Sequence, residues 1–558
     1  MTEKIQDEKP CLVETPQGFS VFYRNKYLYS KYAPQKAVCQ TIQNLTVLPG
    51  TLFLCCSPLL SYGLSELLEK LDDSSFCLFC EFDSALSDFS KAQYSLNDKK
   101  MMKAARLNLP ELQSLPVILN QPSYTTMEGV QLLPAGSFKR VVRIDFSAGV
   151  QFHKELYDQL SSACSRAIMT FWANRMTLVK FGRKYSQNFF KNLKLLPATT
   201  PIQSFFHSVT KPIIVFGAGE STNEGIRLIK NAVPSSYCIL CADTALQPLL
   251  ASGIAVDGVF IEEAQAIIKK AFIGTQKNST KIFAGMSALS NLSKITKTQN
   301  ISFFTTKYAK ASFLDNLLDK GIIPPANEPF GSVGLTAVYY ALKFREDSSV
   351  PVFVYGLDFS YSAGLTHAKG TMAQKQRLIT QTRLNPPSAY SAAFNPLAEK
   401  VPSKDGRTFY TTRTLKNYAE LFNGLFCDEE NLFDAASTGI KLDIIRKKPS
   451  DEPSQAESST ASQADGRAQP FIPNTFSDCQ KESIKDFMLK EKEALEKLRD
   501  VLTGKEKLSS EEQKEYIIKE ASSREYLFLH FPDGITFKYE TSFLKRIRTE
   551  IDFFLKFF

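Results

Sequence analysis

The segment "VPVFVYGLDFSYSAGLTHAKG" (350–370) gathers groups that could move a proton and steady a negative charge. An apolar run ends at Asp358, and Tyr361, His367 and Lys369 follow within a short polar loop. Imidazole titrates at about 6.5 when unperturbed, so a neutral histidine can accept a proton near pH 7. The chain has only four histidines. His367 is flanked by glycines rather than set on an apolar face, which reads as a general base; a surface histidine is the alternative. A strand-end acid followed by a Tyr-His-Lys loop has the makings of an active site.

Three further stretches offer seats for an anion or a nucleoside. In "KPIIVFGAGESTNEGIRLI" (211–229), an apolar run enters Gly217-Ala218-Gly219 and a patterned helix follows. Strand, glycine turn and helix is the arrangement in which helix N–H groups meet a phosphate, with Gly217 and Gly219 admitting close approach. Ser221 and Glu224 have capping-box spacing. Glu220 sets a negative charge beside that seat. In "CADTALQPLL", Asp243 ends an apolar run and could hold a ribose or a base, or be a surface acid; Asp257, Glu262 and Glu263 flank the next run. In "PFGSVGLTAVYYALKF" (329–344), Gly331 and Ser332 precede an apolar helix whose start could cradle an anion. A fourth stretch, "DGRTFYTTRTLKNYAELFNGLF", reads as a hairpin and helix in which Thr412 and Arg413 cap and charge the pocket, or serve the fold alone.

These residues need strands that end at one edge. Buried-strand runs at 213–216, 237–241, 257–261, 281–284, 301–304 and 351–355 alternate with helical patterns. That alternation predicts a parallel sheet with helices on both faces. An earlier unit repeats the theme: strands at 52–56 and 75–82 flank a helix at 64–71, but "SPLLSYG" replaces the glycine turn, so this half is read as fold without cofactor. Residues 152–195 have apolar spacing of three and four and predict a helical connector with Trp172 as packing anchor. The fold class is therefore α/β, two Rossmann-like parallel-sheet domains joined by a helical connector, with a C-terminal helical segment. The expected domains are 1–150, the connector 151–210, the core 211–445, a Ser/Pro/Ala-rich disordered linker 446–475 and helices over 476–558. The last helix presents Phe543, Leu544, Ile547, Ile551, Phe554 and Leu555 on one face, which some surface of this chain or a partner must cover.

Bulk properties narrow the function. The 558 residues are 43% hydrophobic and 22% charged, with net charge +9 and pI near 8.8. The basic residues are spread along the chain, so no nucleic-acid partner is expected. The N-terminus "MTEKIQDEKP" lacks the apolar core of a secretory signal. No apolar run approaches the ~20 residues of a membrane span. A cytoplasmic protein is expected. The 11 cysteines include two CxxC pairs, Cys77/Cys80 and Cys238/Cys241. Both lie on predicted strands, where positions three apart face opposite sides, so they read as core residues of a reducing compartment rather than metal ligands.

Over residues 15–445 the chain resembles the motility-associated factor (Maf) family of bacterial glycosyltransferases. That core is shared with the archaeal 6-hydroxymethylpterin pyrophosphokinases and looks like the CMP-sialic-acid-dependent sialyltransferases. The resemblance rests on "FWANRMTLVKFGRKYSQNFFKNLKLLP", on the Gly217 turn, where the family has G-x-G-P-S-L, and on "GSVGLTAVYYAL…VYGLDFSYSAGLTHAKG", where it has G-S-V, G-x-D and T-H-A-x-G elements. "SPLLSYGLSELLEKL" looks like a degraded form of the family's G-x-G-Y element. The resemblance implies that Gly217, Gly219 and Ser221 hold a nucleotide together with Gly331, Ser332 and Thr366. It casts Asp358 and His367 as the strand-end acid and the T-H loop. Glu220 and Thr222 depart from the family's Pro and Leu. A carboxylate beside a phosphate costs binding unless it points to solvent or pairs with a Lys or Arg.

The resemblance implies transfer of a nonulosonic acid from a CMP-sugar donor to Ser or Thr of flagellin or another protein acceptor. His367 is the base, and Lys369 or Arg383 neutralises the departing phosphate. A divalent metal held by carboxylates such as Asp358 is the alternative to those cations; no other cofactor is implied. Two rival expectations stand beside it: ATP-dependent pyrophosphate transfer to a pterin, with Asp243, Asp257 and Glu262 as the metal-binding carboxylates, and a flagellin-handling scaffold that keeps the fold without the chemistry.

Overall fold

In the computed structural model, residues 9–93, 103–121, 123–231, 236–275, 280–309, 311–386, 390–449, 475–506 and 508–558 are described. They form two units, Met1–Thr177 and Leu178–Phe558. The expected linker lies largely outside the described residues.

The first unit carries a four-stranded sheet in the order Ala104–Arg106, Phe76–Cys80, Thr51–Cys56, Arg140–Asp145. Every pairing in it is parallel. The strands Leu52–Cys56 and Phe76–Cys80 are buried along their whole length, as strands covered on both faces must be. The "SPLLSYG" stretch takes positive φ at Ser57, Ser61 and Gly63, the last just before helix Leu64–Lys70, in place of a Gly-x-Gly turn. Trp172 packs on this unit's core and donates its indole N–H to Phe138 O at 2.5 Å. Its helix, Lys154–Leu195, is a single element that begins in the first unit and ends in the second.

The second unit is built on a nine-stranded sheet among the described residues. Its order is Ala326–Asn327, Ile301–Thr306, Lys281–Gly285, Gly258–Ile261, Cys238–Ala242, Ile213–Phe216, Val352–Tyr355, Leu432–Asp434, Ile445–Arg446. All of its pairings are parallel. Side chains alternate strictly between two cores. Ile214, Phe216, Ile239 and Cys241 enter one, and Ile213, Val215, Cys238 and Leu240 the other, the period of two that a pleated strand imposes. Cys238 and Cys241 thus face opposite sides, as their spacing predicts, and both are free thiols.

The chain lays strands outward from Ile213–Phe216 to Ala326–Asn327, then returns to pair Val352–Tyr355 with the other side of Ile213–Phe216. Strand order therefore reverses between these two strands. In open parallel sheets the crevice beyond the C-terminal strand ends at such a reversal is where ligands bind. The glycine turn and Asp358 are the residues that follow the two strands.

The C-terminal helices, Asp478–Leu502, Ser510–Ser522 and Thr541–Phe554, belong to the second unit. Phe543, Ile547, Ile551 and Phe554 are fully buried in the same core as Phe189, Phe190 and Phe313, with Leu544 and Leu555 packed at its edge. The apolar face of the last helix is thus covered by its own chain. Glu525 also caps the helix Ser312–Asp319, accepting from Ser312 N at 2.8 Å and Phe313 N at 3.2 Å, a carboxylate at the positive end of a helix.

Candidate functional site

At the strand reversal two turns are pressed together. Gly217 N donates to Tyr355 O at 2.8 Å and Gly219 N to Gly356 O at 2.9 Å. A Cβ on Gly217 would fall 2.3 Å from Gly356 O, and one on Gly219 would fall 2.6 Å from Asp358 Oδ2. Both positions are therefore held to glycine by neighbouring protein atoms. The sequence reading assigned that close approach to a ligand; the structure assigns it to Gly356 and Asp358.

Asp358 is buried and held on every side. Ser221 N donates to Asp358 Oδ2 at 2.8 Å, and the Ser221 hydroxyl donates to Oδ1. Gly356 N donates back to Ser221 Oγ at 2.7 Å. Ile440 N and Ser360 Oγ both donate to the Asp358 carbonyl. The carboxylate thus takes the Ser221 N–H and hydroxyl just before helix Thr222–Asn231, a position where a phosphate would otherwise bind. Burial pushes its pKa up to about 6; the Ser221 bonds and the charge of Lys404 oppose this, and Glu220 adds to it. The Ser221–Glu224 capping box does not form, because Ser221 is spent on Asp358 and Gly356. Glu224 instead accepts from Ser437 N at 3.0 Å and pairs with Lys448 at 2.6 Å. Glu220 is half-buried, and its Oε2 has no hydrogen-bond partner among the described residues.

The loop bearing His367 is tied across this turn. Ala368 N donates to Ala218 O at 2.9 Å and Lys369 N to Asn223 Oδ1 at 3.1 Å. Lys375 Nζ reaches Gln247 Oε1 at 3.0 Å, on the helix Asp243–Ala251. His367 is half-buried, with Nδ1 3.1 Å from Thr366 Oγ1. Burial, and then the positive charge of Arg377, hold its pKa below the ordinary imidazole value. It is therefore neutral at pH 7 and able to accept a proton. No hydrogen bond joins His367 to Asp358 among the described residues.

Asp243 is buried at the end of Cys238–Ala242. Desolvation pushes its pKa up to about 6, opposed by Thr244, whose hydroxyl donates to it at 2.8 Å. Glu262, at the end of Gly258–Ile261, accepts from Thr306 Oγ1 at 2.7 Å and Thr336 Oγ1 at 3.0 Å, and desolvation raises its pKa. Asp257 departs from the sequence reading. It precedes Gly258–Ile261 and accepts from Ile239 N at 2.8 Å, so it lies at the opposite edge of the sheet and cannot join Asp243 and Glu262. Among the described residues no group of three or more His, Cys, Asp or Glu is arranged to hold a metal ion. Ser332 is the N-cap of helix Val333–Phe344, with its side chain free of the helix N–H groups. Gly331 is exposed, at φ 70°, beside Tyr418. Among the described residues no carboxylate accepts from the backbone N–H groups of this helix start, although Glu262 bonds the Thr336 hydroxyl in its first turn.

Sequence reasoning missed one buried pair. Lys404 Nζ, from the loop between strands Glu399–Pro402 and Thr408–Thr411, lies 2.5 Å from Asp434 Oδ2, and both side chains are 1% exposed. Neither atom has an aligned hydrogen bond, so this is an ion pair in a dry setting. Its only sequence signal is Lys-Asp-Gly in a hairpin turn.

Three likenesses bear on this arrangement. Residues 187–364 match the family model for 6-hydroxymethylpterin diphosphokinase MptE-like proteins. The structure of the Maf glycosyltransferase from Magnetospirillum magneticum AMB-1 superimposes with a TM-score of 0.55 at 14% identity, covering 99% of this chain and 91% of that one. The fold is thus of the Maf-like class that the motifs resemble. An uncharacterized protein of Treponema pallidum (strain Nichols) is 31% identical over 572 aligned residues, spanning 98% of this chain and 94% of its own length. The chain belongs to one family with that protein. Among the described residues no helix is long and apolar enough to cross a membrane.

Proposed function

We propose that the chain is a cytoplasmic Maf-type glycosyltransferase that moves a nonulosonic acid from a CMP donor to a Ser or Thr hydroxyl of flagellin. The observation that carries this reading is the T-H loop. It is pinned to the strand reversal and presents a neutral, half-buried His367 under the charge of Arg377, with no carboxylate partner among the described residues. In the reaction, the acceptor oxygen attacks the anomeric carbon. The bond from that carbon to the phosphate oxygen breaks, and CMP leaves with the electron pair. His367 takes the hydroxyl proton, and Lys369 or Arg383 offsets the charge on the departing phosphate.

Asp358 acts as a positioning residue in this scheme, because both its oxygens are committed to Ser221. Gly217, Gly219 and Ser221 then shape the floor of the site. The donor phosphate meets the open helix start at Gly331 and Ser332, with Thr366 beside His367 and Asp243 facing the nucleoside. Intact-mass comparison of flagellin from parent, deletion and His367→Ala strains tests the reading. Loss of the sugar mass in the last two strains supports it, and unchanged flagellin in the deletion strain refutes it.

The match to the pterin diphosphokinase model favours a second reading, diphosphotransfer from ATP. That chemistry uses divalent metal and clustered carboxylates, and Asp257 is remote from the other two. A Mg²⁺-dependent melting shift with ATP and none with CMP would support it. The carboxylate already seated at the Gly217 turn favours the third, non-catalytic reading, and absence of a shift with either nucleotide would support that one.

A further inference from the structure

From Phe359 to Ala398 the chain contains no Asp or Glu, while it carries Lys369, Lys375, Arg377 and Arg383. The same stretch exposes large apolar side chains: Leu384 is 94% exposed, Ile379 and Leu397 78%, and Phe394 73%. Leu378 and Tyr390 are exposed by about half, at 46% and 49%. The helix Met372–Ile379 buries none of its side chains. Single exposed apolar residues are ordinary; a concentration of them in one segment marks an interaction surface. Its described residues are anchored. Tyr361 OH donates to Ala392 O at 3.0 Å, Asn385 Nδ2 to Thr380 O at 3.2 Å, and Lys375 to Gln247 as above. Its first residues are the loop that carries His367.

We infer that this face docks the acceptor polypeptide, through apolar side chains flanked by carboxylates; the inference rests on the transfer reading above. Two observations select that occupant. The segment continues in the chain from the loop that carries His367, the residue the transfer reading sets against the acceptor hydroxyl. The segment also offers cations with no carboxylate to repel an acidic partner, which favours encounter and orientation. A lipid bilayer fits less well, because anionic membranes are recognised by clusters of about four to eight cations. Here the four cations, Lys369, Lys375, Arg377 and Arg383, are spaced along the segment rather than grouped in one run.

The test uses the full-length protein, purified unmodified flagellin, and vesicles of phosphatidylglycerol and phosphatidylcholine. A variant with Ile379→Ser, Phe394→Ser and Leu397→Ser changes only exposed side chains, and Leu384→Ser alone serves if that variant misfolds. We expect wild-type protein to bind flagellin and the variant to bind at least 10-fold more weakly, with unchanged melting temperature and unchanged melting shift on adding CMP. Equal binding by wild type and variant, or no binding by wild type, overturns the inference. So does loss of vesicle binding or of self-association in place of flagellin binding. Docking that depends on this face without any sugar transfer upholds the surface and defeats the transfer chemistry. Transfer with an unchanged kcat/KM in the variant does the reverse.

Discussion

His367 and Asp358 are separated by nine positions in the chain but differ in what holds them. Asp358 is locked by Ser221, which is 137 residues away in sequence, while His367 is held by its loop and shaded by Arg377. Replacing His367 with alanine should lower transfer by about 10²–10⁴-fold, the usual contribution of a positioned base, and leave the melting shift with CMP nearly intact; an unchanged rate would remove the residue from the mechanism. The pH profile gives a second check. Burial, and then a positive neighbour, disfavour imidazolium, so the acidic limb of the rate profile should have its midpoint below about 6.5, and Arg377→Gln should move that midpoint upward. No movement would mean that another group titrates. Asp243 supplies a third. Its folded pKa of about 6 exceeds that of an unfolded aspartate, so the folded state holds the proton more tightly between about pH 4 and 6. The contribution of this group to stability therefore falls as pH rises through that window. Asp243→Asn should stabilise the protein at pH 7, by on the order of 2 kcal/mol, and lose that advantage at pH 4, as read by thermal melts. Stability gained together with transfer lost is the signature of a carboxylate kept for function. A loss of stability at pH 7 would show that its bond with Thr244 outweighs its desolvation.

The central strands were legible because they are buried on both faces and therefore read as unbroken apolar runs. The runs at 213–216 and 257–261 match the observed Ile213–Phe216 and Gly258–Ile261 to within a residue. The edge strands Ala326–Asn327 and Ile445–Arg446 were not, since two residues carry no periodicity. The helix starts at Ser221 and Ser332 were recognisable from local spacing. What Ser221 bonds to was not, because local spacing cannot report a partner delivered by the strand reversal. The same limit hid Lys404 and Asp434. The turn itself makes a sharp prediction. Gly219→Ala would drive a methyl into Asp358, so it should lower stability by about 1–3 kcal/mol, as overpacking does, and weaken CMP binding if the turn floors the site. Thermal melts with and without CMP would show both effects; an unchanged melting temperature would mean that Asp358 moves freely and is not a fixed positioning group.

The sequence places the C-terminal helices beyond a polar linker, which suggests a detachable module, yet they share a core with the sheet. That relationship was hidden because an amphipathic pattern reveals an apolar face without naming its cover. Truncation after residue 475 should expose Phe189, Phe190 and Phe313 and produce aggregation or strong dye binding; a soluble monomer with unchanged melting temperature would contradict the packing. The covered face also means that partners must be met elsewhere, and the segment from Phe359 to Ala398 is the exposed apolar face nearest the His367 loop in the chain. All of this converges on one reaction, which a single incubation addresses. Purified full-length protein is mixed with a CMP-activated nonulosonic acid and unmodified flagellin, and the flagellin is weighed intact while CMP is quantified. The account predicts that flagellin gains whole sugar residues, that one CMP is released for each, and that both signals fall at least 100-fold with His367→Ala. Flagellin of unchanged mass, with no CMP released beyond a protein-free control, would contradict it.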